Sequence, residues 1–591
     1  MHDTVEGLKS LGSKTYAKFM RRKAEDDDVI SKEMEKTVLT QLSVKAGIKE
    51  WGAKAIMAAM EELRQLIMKD VFIFVHRDTL TAKQLKSILR TLLFIKEKRD
   101  GRLKGRCCID GRPQAFLEQS EDPFSPTVST ETFFVSTIID SHEERDVATA
   151  DIEGAYLIVD MFAEEVFADI DPVLSAIIVA MFPHLRQYLG EDGRLTARLG
   201  KALYGCIQSA RMFYEHLKKN LLAFGFVPNP YEPCIFNKKN ERGNQITVTI
   251  YVDDVKVSCK DTRSVDEVLN YLKEVYRTIS VKRGKDLEYL GMNLNYEDKG
   301  KVKIGMVSMV KEITKDIPED AYAPSPADVN LFKVRPNEVI CGSDEKKHFH
   351  SYVAKLLYVA KRTRPDILTT VSFLTTRVRD PTQGDMKKLN RLMRYLKCTS
   401  DMVLTLECPD ITQVTCYADA AHYVHVDGKG HSGIAITLGK GTVYNSSKKQ
   451  KLVSKSSTEA ELIAISDGLS QAIWLRNLLK EQGYNMKPIK LYQDNQSTIT
   501  LIKKGKSTSE RTRHVDLRYF FIADRVKSKE VTVEYMPTKQ MIADLHTKPL
   551  QGALFKELRG AVLNDCTSQG CVGKDALSEI ETRFSDSHSE G

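Results

Sequence analysis

The sequence predicts an α+β protein of several domains, and three observations carry that expectation. At 591 residues the chain is too long for a single core. Strand-like runs joined by turn signals alternate with helical patterns through the first half. A second, separate α/β pattern runs from about 412 to 549. Apolar content of 42% and charged content of 28% fit a soluble globular protein. The longest near-continuous apolar run, VLSAIIVAMF (173–182), is about half of what a membrane span needs, and MHDTVEGLKS has no apolar signal region. These features predict a soluble, intracellular protein. The eleven cysteines are scattered without paired spacing, as in a reducing compartment, and Cys566 and Cys571 lack His/Cys partners at zinc-site spacing. Net charge is +8, too small to define a partner class, so local clusters matter more.

In chain order, residues 1–65 read as a polar, then helical extension. AEDDDV (24–29) reads as a solvated acidic turn, and Trp51 to Leu66 has apolar positions at helical spacing. TLLFIKEK and RLKGRCCI, separated by a segment with Asp100-Gly101, predict a β-hairpin. It carries Lys96, Lys98, Arg99, Arg102, Lys104, Arg106 and Arg112, seven cations against three acids over 17 residues, and so forms a positive arm. VATADIEGAYL (147–157) reads as a strand running into a turn. Residues 210–224 read as an amphipathic helix with Ala210, Phe213, Leu217, Leu221 and Phe224 on one face, stopping at Gly225. ITVTIYVDDVKVSC reads as a second hairpin. A proline-containing connector follows at 318–336, then a basic helix at 389–398. The last 40 residues lose apolar periodicity and read as a disordered tail.

The pair Asp253-Asp254 interrupts an apolar, β-forming run. In a straight strand the two side chains point to opposite faces, so they serve one site only if the chain turns between the flanking runs. Adjacent carboxylates at such a tip are costly without a cation, and hard divalent ions prefer oxygen donors. Asp151, which also follows a β-like run, is the best candidate for a third acid. Three carboxylates with two magnesium ions suit phosphoryl transfer.

Tyr251-Val252-Asp253-Asp254 resembles the catalytic box of reverse transcriptases. ADIEGAYLIVDMFAEEVF (150–167) is similar to the D-x-x-x-A-F/Y-L block of copia-type LTR retrotransposons, and LYGCIQSARMFY (203–214) to their LYGLKQ-A/S-PR-x-W block. The resemblance continues through FVPNPYEPCIF, YLGMNL, YVAKLLYVAKRTRPDI and LMRYLKCT, from about residue 50 to 550. It implies a right-hand polymerase followed by an α/β ribonuclease H-like domain. Fingers and palm would span 66–300, thumb and connection 301–408, the hydrolase 412–550 and a tail 551–591. Asp151, Asp253 and Asp254 would be the polymerase metal ligands. Lys104 and Arg106 would approach the triphosphate, Ala155 and Tyr156 would line the nucleotide site with Tyr156 under the sugar, and Gln208 would lie near the templating base. YLGM (289–292) resembles the strand gripping the primer end. Three positions depart from the family pattern: Ala210 replaces proline, Phe213 tryptophan and Val159 glycine.

The C-terminal pattern carries its own acids. Asp419 lies on a strand in CYADAA, Asp494 ends another in LYQDNQ, and Asp544 sits near a last helix in MPTKQMIADLHTK. Of two glutamates in SSTEAELIAISDGL, Glu459 forms an S-x-x-E capping box with Ser456, whereas Glu461 lies beyond the cap and is the better ligand. The order Asp, Glu, Asp, Asp resembles the ribonuclease H fold of the copia type. The resemblance implies that Asp419, Glu461, Asp494 and Asp544 bind two magnesium ions, with manganese as a substitute, and cleave the RNA of an RNA/DNA hybrid. Retroviral relatives carry a histidine where this chain has Thr538. His514 reads as structural or substrate-facing, and SSKKQKLVSK (446–455) as a phosphate clamp or a solvated loop.

The expected partners are an RNA template, a DNA primer, RNA/DNA hybrid and deoxynucleoside triphosphates, with no membrane. The family alone implies a cytoplasmic particle and the nucleus. The rival readings are an inactive nucleic-acid-binding remnant and an autonomous hydrolase on a scaffold. No D-S/T-G protease box, C-x2-C-x4-H-x4-C knuckle or integrase His/Cys cluster is present, so the sequence reads as a polyprotein fragment, a processed product or a truncated copy.

Overall fold

The computed structural model describes residues 42–97, 101–116, 124–161, 165–504 and 516–565. The acidic run 24–29, the hairpin tip 98–100, His514, Cys566 and Cys571 lie outside them. The chain forms two compact units, one of residues 40–129 with 145–290, the other chiefly of 130–144 with 291–591.

The first unit holds two sheets. In one, the basic hairpin forms as expected: Leu89–Glu97 pairs antiparallel with Leu103–Ile109. The same sheet continues through Phe167–Ile170, Leu195–Leu199 and Phe72–Val75. The helical pattern over Trp51–Leu66 forms as Ala53–Met68, and a separate helix, Val44–Trp51, precedes it. Gly52 separates them at φ 55°, a conformation that costs a residue without a β-carbon little. Val44, Ala55 and Leu63 are buried with Leu93, Ile95 and Cys107, so residue 66 is not a boundary between cores. The second sheet runs Ile279–Arg283, Asp146–Ile152, Asp254–Cys259, Gln245–Tyr251, Glu232–Lys239, Val227–Asn229. Helices Ser209–Ala223 and Thr262–Tyr276 pack on it through Phe213, Leu217, Leu221, Val265, Val268 and Leu272. Phe213, the departure from tryptophan, is fully buried there. YLGM is not a strand. Tyr289 ends one, and Leu290 (φ 53°) and Gly291 (φ 73°) form a tight turn.

The second unit joins a helical layer to a five-stranded sheet. The strand order is Tyr444–Lys449, His431–Thr437, Thr415–Ala421, Ile489–Gln493, Val531–Tyr535. The first three are antiparallel and the last two join in parallel. Helix Ser457–Glu481 crosses this sheet. One buried cluster unites Phe349, Leu357, Leu389 and Leu396 of the helical layer with Tyr417, Ala435 and Phe555. The expected division near 408–412 therefore does not separate two cores. The tail expectation is corrected as well. Gly552–Leu563 is a helix whose Phe555, Leu558 and Val562 are buried, a periodicity of three and four that the reading of the last 40 residues passed over. Among the described residues no helix is long and apolar enough to cross a membrane, and the cysteines are free thiols.

A buried ion pair ties these helices together. Arg364 donates to both Asp366 oxygens (2.9 and 2.8 Å), Tyr395 donates to Asp366 (2.7 Å), and Arg559 reaches Tyr395 (3.3 Å). Both charged side chains of the pair are fully buried. Asp366→Ala leaves Arg364 uncompensated, and we expect a loss of about 3–5 kcal/mol of stability. Denaturant unfolding of the variant checks this, and an unchanged midpoint contradicts it.

Two candidate active sites

The first site is built by a two-residue turn. Tyr251 pairs across the hairpin with Asp254, leaving Val252 and Asp253 as the tip. Val252 sits at φ 57°, an unfavourable conformation for a β-branched residue, of the kind that clusters at functional sites. The turn lets both aspartates face one region, which a straight strand forbids. Asp254 is also register partner to Asp151 on the neighbouring strand, and the Ile152 amide donates to the Asp253 carbonyl at 3.1 Å. The Tyr289 hydroxyl fixes the hairpin from below, donating to the carbonyls of Asp254 (3.2 Å) and Thr249 (3.3 Å).

Electrostatics follow from this packing. Burial pushes the Asp254 carboxyl up to about 7, and the charges of Asp253, Asp151 and Glu288 add to the effect. Burial also raises Asp253, with Asp151 adding to the rise and Arg106 and Lys104 opposing it. Glu288 is an acid that the sequence alone does not assign to this site.

An aromatic stack lies beside these acids. The Arg106 guanidinium sits 4.0 Å over the Tyr204 ring, which meets Tyr156 edge-on at 4.6 Å. Tyr156 in turn meets Phe213 edge-on at 6.2 Å, and Ala155 is buried. Gln208 accepts a hydrogen bond from Gln114 at 3.3 Å. Lys104 and Arg106 share the strand Leu103–Ile109, whose free edge is satisfied by Glu62, accepting from the Cys107 amide at 2.9 Å. Tyr204 and Glu62 were not singled out from the sequence.

The second site gathers acids from four elements. Asp419 lies on strand Thr415–Ala421, Glu461 on helix Ser457–Glu481, Asp494 just past strand Ile489–Gln493, and Asp544 in the 3-10 turn Ile542–His546. Asp419, Glu461 and Asp494 offer ligand atoms mutually within 4.8 Å, the one such set among the described residues. Burial holds Glu461 well above the usual carboxylate range, reinforced by Asp419 and Asp494. Burial raises the Asp544 carboxyl, with Asp419 adding to the rise and Lys548 opposing it. Glu459 turns away. Its carboxylate accepts from the Lys455 amide (2.6 Å), and its own amide donates to Ser456 (3.3 Å).

The supports of this cluster escaped the sequence reading. Fully buried Gln493 donates to Glu461 (3.3 Å) and to the Ala418 carbonyl (3.2 Å), and accepts from the Asp494 and Asn495 amides (both 2.9 Å). Thr538 donates to Asp494 at 2.7 Å and Thr547 to Asp419 at 2.6 Å. At Gly433 a β-carbon would stand 2.5 Å from the Ala543 carbonyl, so glycine lets the segment bearing Asp544 close onto the sheet. In the basic segment, Lys449 pairs with Asp427 at 2.8 Å.

The chain thus combines a six-stranded sheet with tandem aspartates at a hairpin tip and a 3-2-1-4-5 sheet around four further acids. Residues 78–323 match the family described as reverse transcriptase (RNA-dependent DNA polymerase). The matched segment includes Asp151, Asp253 and Asp254. The chain is 26% identical over 491 residues to a retrovirus-related Pol polyprotein from transposon TNT 1-94 of Nicotiana tabacum, covering 80% of this chain and 36% of that protein. It is 31% identical over 373 residues to the polyprotein from transposon RE2 of Arabidopsis thaliana, covering 61% of this chain and 24% of that protein. The chain thus spans about a quarter to a third of these relatives. Among solved structures, a foamy viral protease-reverse transcriptase in complex with double-stranded DNA aligns over 81% of this chain and 69% of its own, at 14% identity and TM-score 0.45.

The raised Asp254 has a stability consequence. Its folded value, about 7, exceeds the unfolded value of about 3.9, so the folded state binds the extra proton between them. The metal-free protein should lose stability as pH rises from about 4 to about 7, with a shallower fall in Asp254→Asn. Thermal midpoints across that window check this, and an equal slope in the variant contradicts it.

Proposed function

We propose that the chain is an RNA-directed DNA polymerase with a fused ribonuclease H, both working by two-metal phosphoryl transfer. The observation that carries the polymerase half is the register: Tyr251 opposite Asp254, and Asp254 opposite Asp151, bring three acids to one end of one sheet. The donor sets fit hard divalent cations. They are all carboxylate oxygen, and the hydrolase cluster, with Asp419 and Glu461 buried and Asp494 half-buried, holds its ligand atoms mutually within 4.8 Å. Magnesium or manganese bound there would lower the pKa of the attacking hydroxyl or water and offset charge spreading over the phosphate.

The remaining roles belong to side chains. Asp151, Asp253 and Asp254 would hold the ions, and a primer 3′-hydroxyl would attack a deoxynucleotide's α-phosphate with release of pyrophosphate. Arg106, braced on Tyr204, and Lys104 take the triphosphate through charge-assisted hydrogen bonds. Tyr156, held between Tyr204 and Phe213, lies under the sugar, where its ring excludes a 2′-hydroxyl. Gln208 adjoins the templating base. Asp419, Glu461, Asp494 and Asp544 serve cleavage of the RNA strand of a hybrid. The partners are an RNA template, a DNA primer, RNA/DNA hybrid and deoxynucleoside triphosphates. The presence of all seven acids in the sequence supports an active enzyme over a nucleic-acid-binding remnant.

The test is a magnesium-dependent extension assay on a primed RNA template, run beside hybrid cleavage. Asp254→Asn should abolish extension, by at least about a hundredfold, and leave cleavage intact, with Asp494→Asn giving the reverse. Retained extension in Asp254→Asn defeats the polymerase assignment.

A further inference from the structure

Asp544 is absent from the set of acids whose ligand atoms lie mutually within 4.8 Å. It is engaged instead by a cation from its own turn. The Lys548 ammonium lies 2.7 Å from an Asp544 oxygen and 3.4 Å from an oxygen of Asp419. Both carboxylates are 2–3% exposed, so this is no screened surface pair. The placement is built into the backbone. The Lys548 amide donates to the Asp544 carbonyl at 3.1 Å, one helical turn on, and neighbouring Thr547 donates to the same Asp419 oxygen at 2.6 Å. The four-acid cluster is thereby divided. Three acids form one open cradle, and the fourth shares Asp419 with an internal ammonium.

We propose that Lys548 is a resident cation of the hydrolase site, standing between Asp419 and Asp544 where a second divalent ion would sit, so that this ion enters only by displacing it. The inference rests on the hydrolase reading above. A lysine suits the role because its compact charge rides a flexible stem, and here the side chain is 39% exposed and able to swing outward. The first ion then meets a cradle whose neighbouring charge is already offset, while the second pays to expel an ammonium. An incoming phosphodiester offers the expelled ammonium a new partner, which links occupation of the second position to substrate binding.

The experiment measures Mn2+ binding to the full chain by electron paramagnetic resonance of the free ion. The parent carries Asp253→Asn and Asp254→Asn, so that the polymerase acids contribute little. The parent should bind one ion tightly and a second much more weakly. Lys548→Met should tighten the second ion by roughly tenfold or more, because a unit charge a few ångströms away has been removed. Lys548→Arg should keep the weak second site. If Lys548→Met unfolds without metal, the Mn2+ dependence of its melting temperature gives the same affinity. A second-ion affinity unchanged or lowered in Lys548→Met overturns the inference alone, whereas a parent that binds no Mn2+ overturns the hydrolase reading and the inference with it.

Discussion

Repulsion between desolvated carboxylates is the constraint around which both sites are arranged. Two such charges about 4 Å apart repel by roughly 4 kcal/mol at an effective dielectric near 20. Neither Asp253-Asp254 nor Asp419-Glu461-Asp494 can be held together by its own interactions. The chain must impose the proximity through backbone, and the two sites do so differently. At the first, one turn fixes the tandem pair, and sheet register sets Asp151 beside it. At the second, four separate elements each deliver one acid, and Gln493, Thr538 and Thr547 hold the carboxylates by hydrogen bonds.

The cost of that proximity surfaces as raised carboxyl pKa values and as the left-handed Val252. The surroundings over-determine both. Tyr289 pins the hairpin through two carbonyls, and strands on either side hold its register. The same logic places the positive charge. Arg106 and Lys104 lie on a strand whose outer edge is closed by Glu62, so the cations oppose the charge of Asp253 without collapsing onto it. A site that keeps its acids close before any cation arrives needs little rearrangement when one does.

Much of this was legible in the sequence, for identifiable reasons. The hairpin 89–109 announced itself through Asp100-Gly101, and the helix Ser209–Ala223 through one apolar face. Glu459 and Glu461 were separable by capping geometry alone. What stayed hidden was long-range. Gln493 precedes an acid on a strand, and nothing local says that its amide gathers groups from the neighbouring strand and helix. Tyr204 becomes a platform for Arg106 only once residues about a hundred positions apart meet. The helix Val44–Trp51, set off by Gly52 from the one that was read, has no long apolar face to announce it. The helix Gly552–Leu563 was lost within a tail judged on its polar end, and the domain limits on pattern changes that do not coincide with core boundaries.

The central claim is that each carboxylate group is a seat for divalent cations. Anomalous scattering from crystals soaked in Mn2+ tests it most directly. Peaks among Asp151, Asp253 and Asp254, and among Asp419, Glu461 and Asp494, are the expected result. Well-ordered acids at both positions with no peak beside either, at saturating Mn2+, would contradict it.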